Sequence, residues 1–297
     1  MNNLITQQRF NLKNAKFTRI EHEEAIVATV YKISQSNGRE YILKICTRSS
    51  DYLCEIYFLK YFSDKLPVPR IIDTIEPESG VYGAILMECL QGNLLKITDF
   101  TDSLAYEIGL LLAKIHASKA ASYGDLTQPQ QLSFDPTSYF TFKFEEGFAE
   151  CSHHLPKQLL DQCRHFYNSN IQLLISTDGP CITHRDFRPG NVIVKEGRVQ
   201  GIIDWSSARG SFAEEDFCSL ELGDWSNNAA RKQSFLEGYA SIRTVPNYLN
   251  VMPLLLLSKA IATIGFTVKT GTWETKNANL YQRNRRFLER FLGSYYS

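Results

Sequence analysis

The hydrophobic period of this chain changes once, near residue 90, and that change limits its fold more than any other feature. Before it, apolar residues alternate as strands do. Ala25 to Ile33, a turn at Ser36-Asn37-Gly38-Arg39 and Glu40 to Cys46 together predict a hairpin. Ser50 and Asp51 stand where they would cap a helix through Leu53, Ile56, Tyr57 and Leu59 to Phe62, stopped by Pro67 and Pro69. Arg70 to Ile75 and Val81 to Glu88 predict two more strands, separated by a Pro- and Gly-containing loop. Beyond Leu90 the spacing turns helical. Helices are expected over Ser103 to Ser118, 156 to 175 and 229 to 242, with a loop-rich aromatic stretch from Tyr123 to Phe148. Three short strands are expected inside this half, at Cys181 to Thr183, Val192 to Lys195 and Arg198 to Ile203.

These elements predict a two-lobed α+β fold. Residues 1–90 form an antiparallel five-stranded sheet with one helix, residues 88–93 a hinge, and residues 91–297 a larger, mainly helical lobe. A cleft between two lobes is where ligands prefer to bind.

Composition narrows the partner. Lys plus Arg and Asp plus Glu both total 32 in 297 residues, so no net field draws the chain to nucleic acid or to an anionic membrane. The seven Cys are scattered and contain no C-x-x-C pair, so they read as reduced thiols and not as disulfides or zinc ligands. The first residues lack the apolar core of a secretory leader, from which a cytoplasmic location is expected. The stretch Val251 to Val268 contains Pro253 and Lys259 and reads as a core helix. Nothing in the sequence fixes the oligomeric state.

The chemistry is concentrated in residues 183–205. Thr183-His184-Arg185-Asp186-Phe187-Arg188-Pro189-Gly190-Asn191 is followed by Val192 to Val194, a turn, and Ile203-Asp204-Trp205, giving H-x-D-x-x-x-x-N and then D between apolar strands. Phosphoryl transfer from ATP or GTP requires Mg²⁺, which takes hard oxygen ligands, and Asn191 with Asp204 supply an amide oxygen and a carboxylate. Asp186, across the Pro189-Gly190 turn from Asn191, is suited to orient and deprotonate an attacking hydroxyl. An ordinary Asp, with a pKa of about 3.9, is a weak base, so alignment is the larger part of that role. Arg188 is a candidate cation for the transferred phosphate, and His184 for anchoring the loop by side-chain hydrogen bonds.

Lys44 is a lone cation in the apolar strand Tyr41-Ile42-Leu43-Lys44-Ile45, and burying it without an anion would be costly. Glu55, on the next helix, is its expected partner, aiming Lys44 at the nucleotide phosphates.

With these residues in place, the chain resembles the aminoglycoside phosphotransferase and choline kinase-like enzymes, which share the protein-kinase-like fold. The resemblance runs over nearly the whole chain, through Lys44, Glu55, the hinge after Met87, His184 to Asn191, Ile203-Asp204-Trp205 and Glu215-Asp216-Phe217. It implies that Met87 and the backbone of Glu88 to Leu90 receive adenine, that Lys44 and Glu55 serve the phosphates, and that Asp216 braces the catalytic loop. It implies a kinase for a small hydroxylated acceptor.

Two positions depart from the family pattern. The turn expected over the phosphates, Glu21-His22-Glu23-Glu24-Ala25, has three acids and no Gly to admit the phosphates to backbone amides. Arg185 stands where many members have Gly and where protein kinases have Arg, although Trp205 after Asp204 breaks the D-F-G pattern of those enzymes. An impaired kinase fold that only binds, and a protein kinase, are therefore the alternative readings.

The acceptor is expected on the helical lobe, at an insertion over about 123–180 and at the helices after Asp204. Glu145, Glu146, Glu150, Glu214, Glu215, Glu221 and Asp224 lie there with Tyr139, Phe140, Phe142, Phe144 and Trp225. Acids beside aromatics suit a cationic acceptor such as an aminoglycoside or an amino alcohol.

Overall fold

A computed structural model describes residues 9–12, 14–20, 28–223, 225 and 228–295. The turn at Glu21 to Ala25 and Asp224 lie outside the described residues.

The β half is one antiparallel sheet in the order β1-β2-β3-β5-β4, built from β1 (Lys16–Ile20), β2 (Ala28–Ser34), β3 (Glu40–Cys46), β4 (Ile71–Ile75) and β5 (Gly83–Glu88). Gly38, at φ +81°, closes the β2–β3 turn as its sequence predicts. Side chains alternate across a strand, so Leu43 and Ile45 join Ile33, Ala84 and Leu86 on one face, covered by Phe10 and Leu12. Lys44 therefore points to the other face, toward α1 (Ser49–Phe62).

Helix α1 begins one turn-position earlier than its expected caps. Arg48 is the N-cap and supplies no side-chain cap, while Asp51 lies in the first turn and accepts from Arg48 Nε at 2.8 Å. A carboxylate in the first turn favours the helix through its dipole without closing a cap.

The larger half holds α2 (Asp102–His116), α3 (Pro136–Cys151), α4 (Lys157–Asn170), α5 (Ala229–Ala240), α6 (Tyr248–Lys269) and α7 (Ala278–Tyr295). Embedded among them are β6 (Asn93–Leu94), β7 (Cys181–Thr183), β8 (Val192–Lys195), β9 (Arg198–Ile202) and β10 (Arg209–Ser211), paired as β6-β8-β9 and β10-β7. Helix α3 replaces most of the loop expected over Tyr123 to Phe148. Asp135 caps it by accepting from Thr137 and Ser138 amides, and Pro136 takes the first helical position. That Asp-Pro start was the signal for it in the sequence. Helix α6 contains the expected core helix; by length and composition it could cross a membrane, yet 56% of its most apolar window is buried.

Helices α2 and α5 cross so closely that a Cβ on Gly109 would lie 1.9 Å from Phe235 O, and one on Gly238 1.9 Å from Tyr106 O. Only glycine permits that approach. The crossing brings Tyr239 of α5 to His116 at the end of α2, beneath the loop that carries the site.

Candidate active site

Three segments converge: β3 with α1, the loop between β7 and β8, and the residues after β9. The Lys44 ammonium donates to Glu55 Oε2 at 2.8 Å and to Asp204 Oδ1 at 2.7 Å. Lys44 is 8% exposed and Glu55 2%. Burial disfavours the Lys44 charge, but the carboxylates of Glu55 and Asp204 outweigh it and raise its pKa above the ordinary lysine value. Burial pushes the Glu55 carboxyl up, and Lys44 pulls it back only in part. Burial also opposes ionisation of Asp204, but there the charge of Lys44 and hydrogen bonds from Lys44 and Ser206 win, holding its carboxyl at about 2.

Trp205 fixes Asp204 from behind. Its fully buried ring lies 4.8 Å from Phe62 and 6.2 Å from Phe58 of α1, and 4.6 Å from the His184 ring, while its indole donates to Ile202 O. Burying such a ring contributes a few kcal/mol, so the residue after Asp204 is held by the core. Asp204 itself sits at φ +64°, a left-handed conformation that non-glycine residues adopt at a cost.

The catalytic-loop candidates gather around Asn191, which is 3% exposed. Its Nδ2 donates to Asp186 O at 2.8 Å and to Asp186 Oδ2 at 2.7 Å, so its Oδ1 faces away from Asp186. Arg188 Nε donates to Asp186 Oδ1 at 3.1 Å. The Asn191 carbonyl accepts from the Ile203 amide at 3.0 Å, which ties this turn to the strand leading into Asp204. His184 does anchor the loop: its Nε2–H donates to Ile203 O at 3.0 Å.

Asp216 is the deeper brace. It accepts from the His184 amide at 2.7 Å, from the Arg185 amide, and from His116 Nε2 at 3.0 Å, and His116 Nδ1 lies 2.9 Å from the Tyr239 hydroxyl. Arg185 has φ +65°, a left-handed conformation that glycine would adopt without strain. Nothing in the sequence marks His116 or Tyr239, because their meeting depends on the α2–α5 crossing.

At the end of β5, Met87 is buried and paired with Ile42 and Ile71, and the Glu88 amide donates to Arg70 O at 2.9 Å. Glu88 thus spends its amide on the sheet, and no hydrogen bond among the described residues uses the amide of Leu90. Leu90 packs on β9, where a Cβ on Gly201 would lie 2.2 Å from Leu90 Cδ1.

The residues fit a magnesium ion. Asp204 keeps Oδ2 clear of Lys44 and Ser206, and Asn191 keeps Oδ1 clear of Asp186. Among the described residues no three His, Cys, Asp or Glu side chains cluster as a complete metal cage. Magnesium in phosphoryl transfer takes one or two protein oxygens and completes its shell with phosphates and water.

The acids expected to receive a cationic acceptor are already engaged. Glu145 pairs with Arg164, Glu146 with Lys143 and Lys269, Glu150 with Lys269, Glu221 with Lys232, and Glu215 with Arg185 and Arg209. Glu214 is buried and accepts from the Asp178 amide. Of the nominated aromatics, Phe144 stacks on Tyr167, Phe140 packs on Phe212, and Trp225 is buried against Phe100 and Phe187. Phe142 is exposed, and Tyr139 holds Arg209.

The family model for the phosphotransferase enzyme family (APH) matches residues 21–249. No curated protein matches the chain. Among solved structures, a thermostable mutant of aminoglycoside phosphotransferase APH(4)-Ia, in ternary complex with AMP-PNP and hygromycin B, is 13% identical with a TM-score of 0.72, over 98% of this chain and 97% of that one. The gentamicin complex of APH(2")-IIa is 14% identical, with a TM-score of 0.72 over 97% and 96%. ADP-bound APH(2'')-Ib is 15% identical, with a TM-score of 0.68 over 97% of each. These likenesses show the two-lobed kinase-like fold.

Proposed function

We propose that this member of the phosphotransferase enzyme family acts on hydroxyl groups, moving the γ-phosphate of ATP or GTP to a hydroxyl of a small acceptor, with Asp186, Asn191, Asp204 and Lys44 as its working residues. The observation that carries this reading is the Lys44 bridge between Glu55 and Asp204, with Asn191 holding Asp186 alongside. Residues 1–90 form the nucleotide lobe, with Met87 against adenine and the Leu90 amide as donor to it. Residues 91–297 form the acceptor lobe, with the insertion over about 123–180.

Magnesium, when bound, neutralises the triphosphate and draws electron density from the transferred group. Asn191 Oδ1 and Asp204 would hold it. Lys44, positioned by Glu55, neutralises phosphate charge from the β side. Asp186 receives the acceptor hydroxyl's proton as its oxygen bonds to the γ-phosphorus and the bond from that phosphorus to the bridging oxygen breaks, releasing the nucleoside diphosphate, and the Asn191 and Arg188 hydrogen bonds fix the direction from which Asp186 acts. Arg188, one bond away from that carboxylate, is the cation suited to the transferred phosphate. Relatives were solved with AMP-PNP and ADP, which supports a nucleotide donor. The seven cysteines are all free thiols, in keeping with a cytoplasmic enzyme.

The test is a thermal shift with nucleotide and Mg²⁺, where ligand at about a hundred times its Kd adds roughly 2.7 kcal/mol to the folded state. Asp204→Ala should abolish the metal-dependent part of that shift. Asp186→Ala should keep the shift and lose about 10² to 10⁴ in turnover. No shift at millimolar MgATP, or near-normal turnover in Asp186→Ala, would remove the assignment.

A further inference from the structure

Helix α1 carries Glu55, and the larger half holds that helix on both sides of it. Toward the C-terminal end, Phe58 and Phe62 pack on Trp205, and Glu55 accepts from the Trp205 amide. On the other side, the buried Cys54 donates its thiol to Asp125 Oδ1 at 3.3 Å, with Thr127 Oγ1 at 4.0 Å. Burial, with the Asp125 carboxylate beside it, pushes the Cys54 thiol up to about 12. At neutral pH the proton therefore stays on sulfur, and the contact is a charge-assisted hydrogen bond.

Asp125 is itself fixed. Its carboxylate accepts from the Thr127 amide at 2.9 Å, from the Thr127 hydroxyl at 2.7 Å and from Gln128 Nε2 at 3.1 Å. The preceding residue, Gly124, exchanges backbone hydrogen bonds of 2.8 and 3.0 Å with Gly210 of β10, where a Cβ on Gly210 would lie 2.1 Å from Ser122 O. Strand β10 pairs with β7, which leads directly into His184 and Asp186. The Asp125 turn thus stands on the same ladder as the catalytic loop and reaches from it to the helix beside the five-stranded sheet.

The place of the contact gives it leverage. Phe58 and Phe62 lie about one and two turns beyond Cys54, so a helix held only at Trp205 is free to swing at its N-terminal end. Glu55 sits next to Cys54 and holds the Lys44 ammonium at 2.8 Å. A displacement of about an ångström ends that hydrogen bond.

Resting on the kinase reading, we infer that Asp125 is a positioning residue for phosphoryl transfer: from the larger half it clasps α1 through Cys54 and so keeps Glu55, and with it Lys44, in place for the nucleotide phosphates. Its action runs through Cys54 and Glu55 and not through contact with the nucleotide.

Calorimetric titration of Mg-AMP-PNP tests the coupling. Asp125→Ala and Cys54→Ala should each weaken binding about three- to tenfold, the scale of one hydrogen bond to a charged group. The double variant should bind no more weakly than either single one, because both remove the same contact. Asp125→Asn and Cys54→Ser, which keep an acceptor and a donor, should recover most of the loss. Should Asp125→Ala not fold, Cys54→Ala with its serine rescue carries the same expectation. A second measurement needs no nucleotide: Asp125→Ala, or Thr127→Ala in its place, should speed alkylation of Cys54 by iodoacetamide, read by peptide mass spectrometry against the half-buried Cys89 as internal reference. Unchanged Mg-AMP-PNP affinity in the alanine variants, multiplied losses in the double variant, rescue variants as weak as alanine, or an unchanged Cys54 alkylation rate overturns the inference. Failure of the wild type to bind Mg-AMP-PNP while Cys54 alkylation responds as expected would instead overturn the kinase reading, with the clasp itself intact.

Discussion

Lys44 Nζ lies 2.7 Å from Asp204 Oδ1, an ion pair across 160 positions of sequence that joins the five-stranded sheet to the segment after β9. The same ammonium reaches the nearly fully buried Glu55. Removing one partner of a buried pair leaves the other uncompensated, at about 3–5 kcal/mol. Lys44→Met should therefore lower stability by that order in urea unfolding at neutral pH. Lys44→Met combined with Glu55→Gln should recover a measurable part, and a double variant no better than the single would show that Glu55 is not the group left stranded.

The Lys44 charge also sets a pH dependence. Asp204 is held at about 2, below the roughly 3.9 of an ordinary Asp. A depressed carboxyl contributes stability that is fully present above the unfolded value and lost as pH falls through the folded one. Wild-type unfolding midpoints should thus fall more steeply between about pH 4 and pH 2 than those of Asp204→Asn. Parallel curves would show that the pairing does not persist in solution.

Asp216 accepts from two loop amides and one imidazole with only 3% exposure. Truncating it strands buried donors at about 1–3 kcal/mol each. Asp216→Ala should be among the most destabilising single changes in the chain, and Asp216→Asn milder, because an amide oxygen still accepts. A chemical-denaturation series settles the order, and an Asp216→Ala variant within about 1 kcal/mol of wild type would contradict it.

Gly238 and Gly293 make a matched pair on helices. A Cβ at Gly238 meets the Tyr106 carbonyl at 1.9 Å, while one at Gly293 meets nothing within 4 Å. Gly238→Ala should cost about 1–3 kcal/mol through forced separation of α2 and α5. Gly293→Ala should gain about 0.5–1 kcal/mol from helix propensity. Thermal melts of the two variants moving in the same direction would remove the close-crossing explanation.

Much of the architecture was legible because it is local. Gly38 marks the β2–β3 turn, Pro67 and Pro69 end the segment after α1, and the short strands flanking Asp186 and Asn191 follow from apolar runs of three to five residues. Helix α3 hid behind its aromatics, although Asp135-Pro136 announced its start. Helix α1 starts at Ser49 behind an Arg48 that closes no side-chain cap, and Asp51 in its first turn favours the helix dipole instead.

The sequence by itself determined which groups exist for the chemistry: the Asp186 and Asn191 spacing, Asp204 behind a strand, and a lysine whose parity in β3 sends it to one face. Those follow from chain geometry over a few residues. Only the tertiary structure decided which charges meet. The acids of the helical lobe are paired with Arg164, Lys143, Lys232 and Lys269, and the loop is held by His116 and Tyr239 through a glycine-to-backbone helix crossing. Coulombic partners are chosen by distances of a few ångströms between segments far apart in the chain, and spacing along one dimension does not contain those distances.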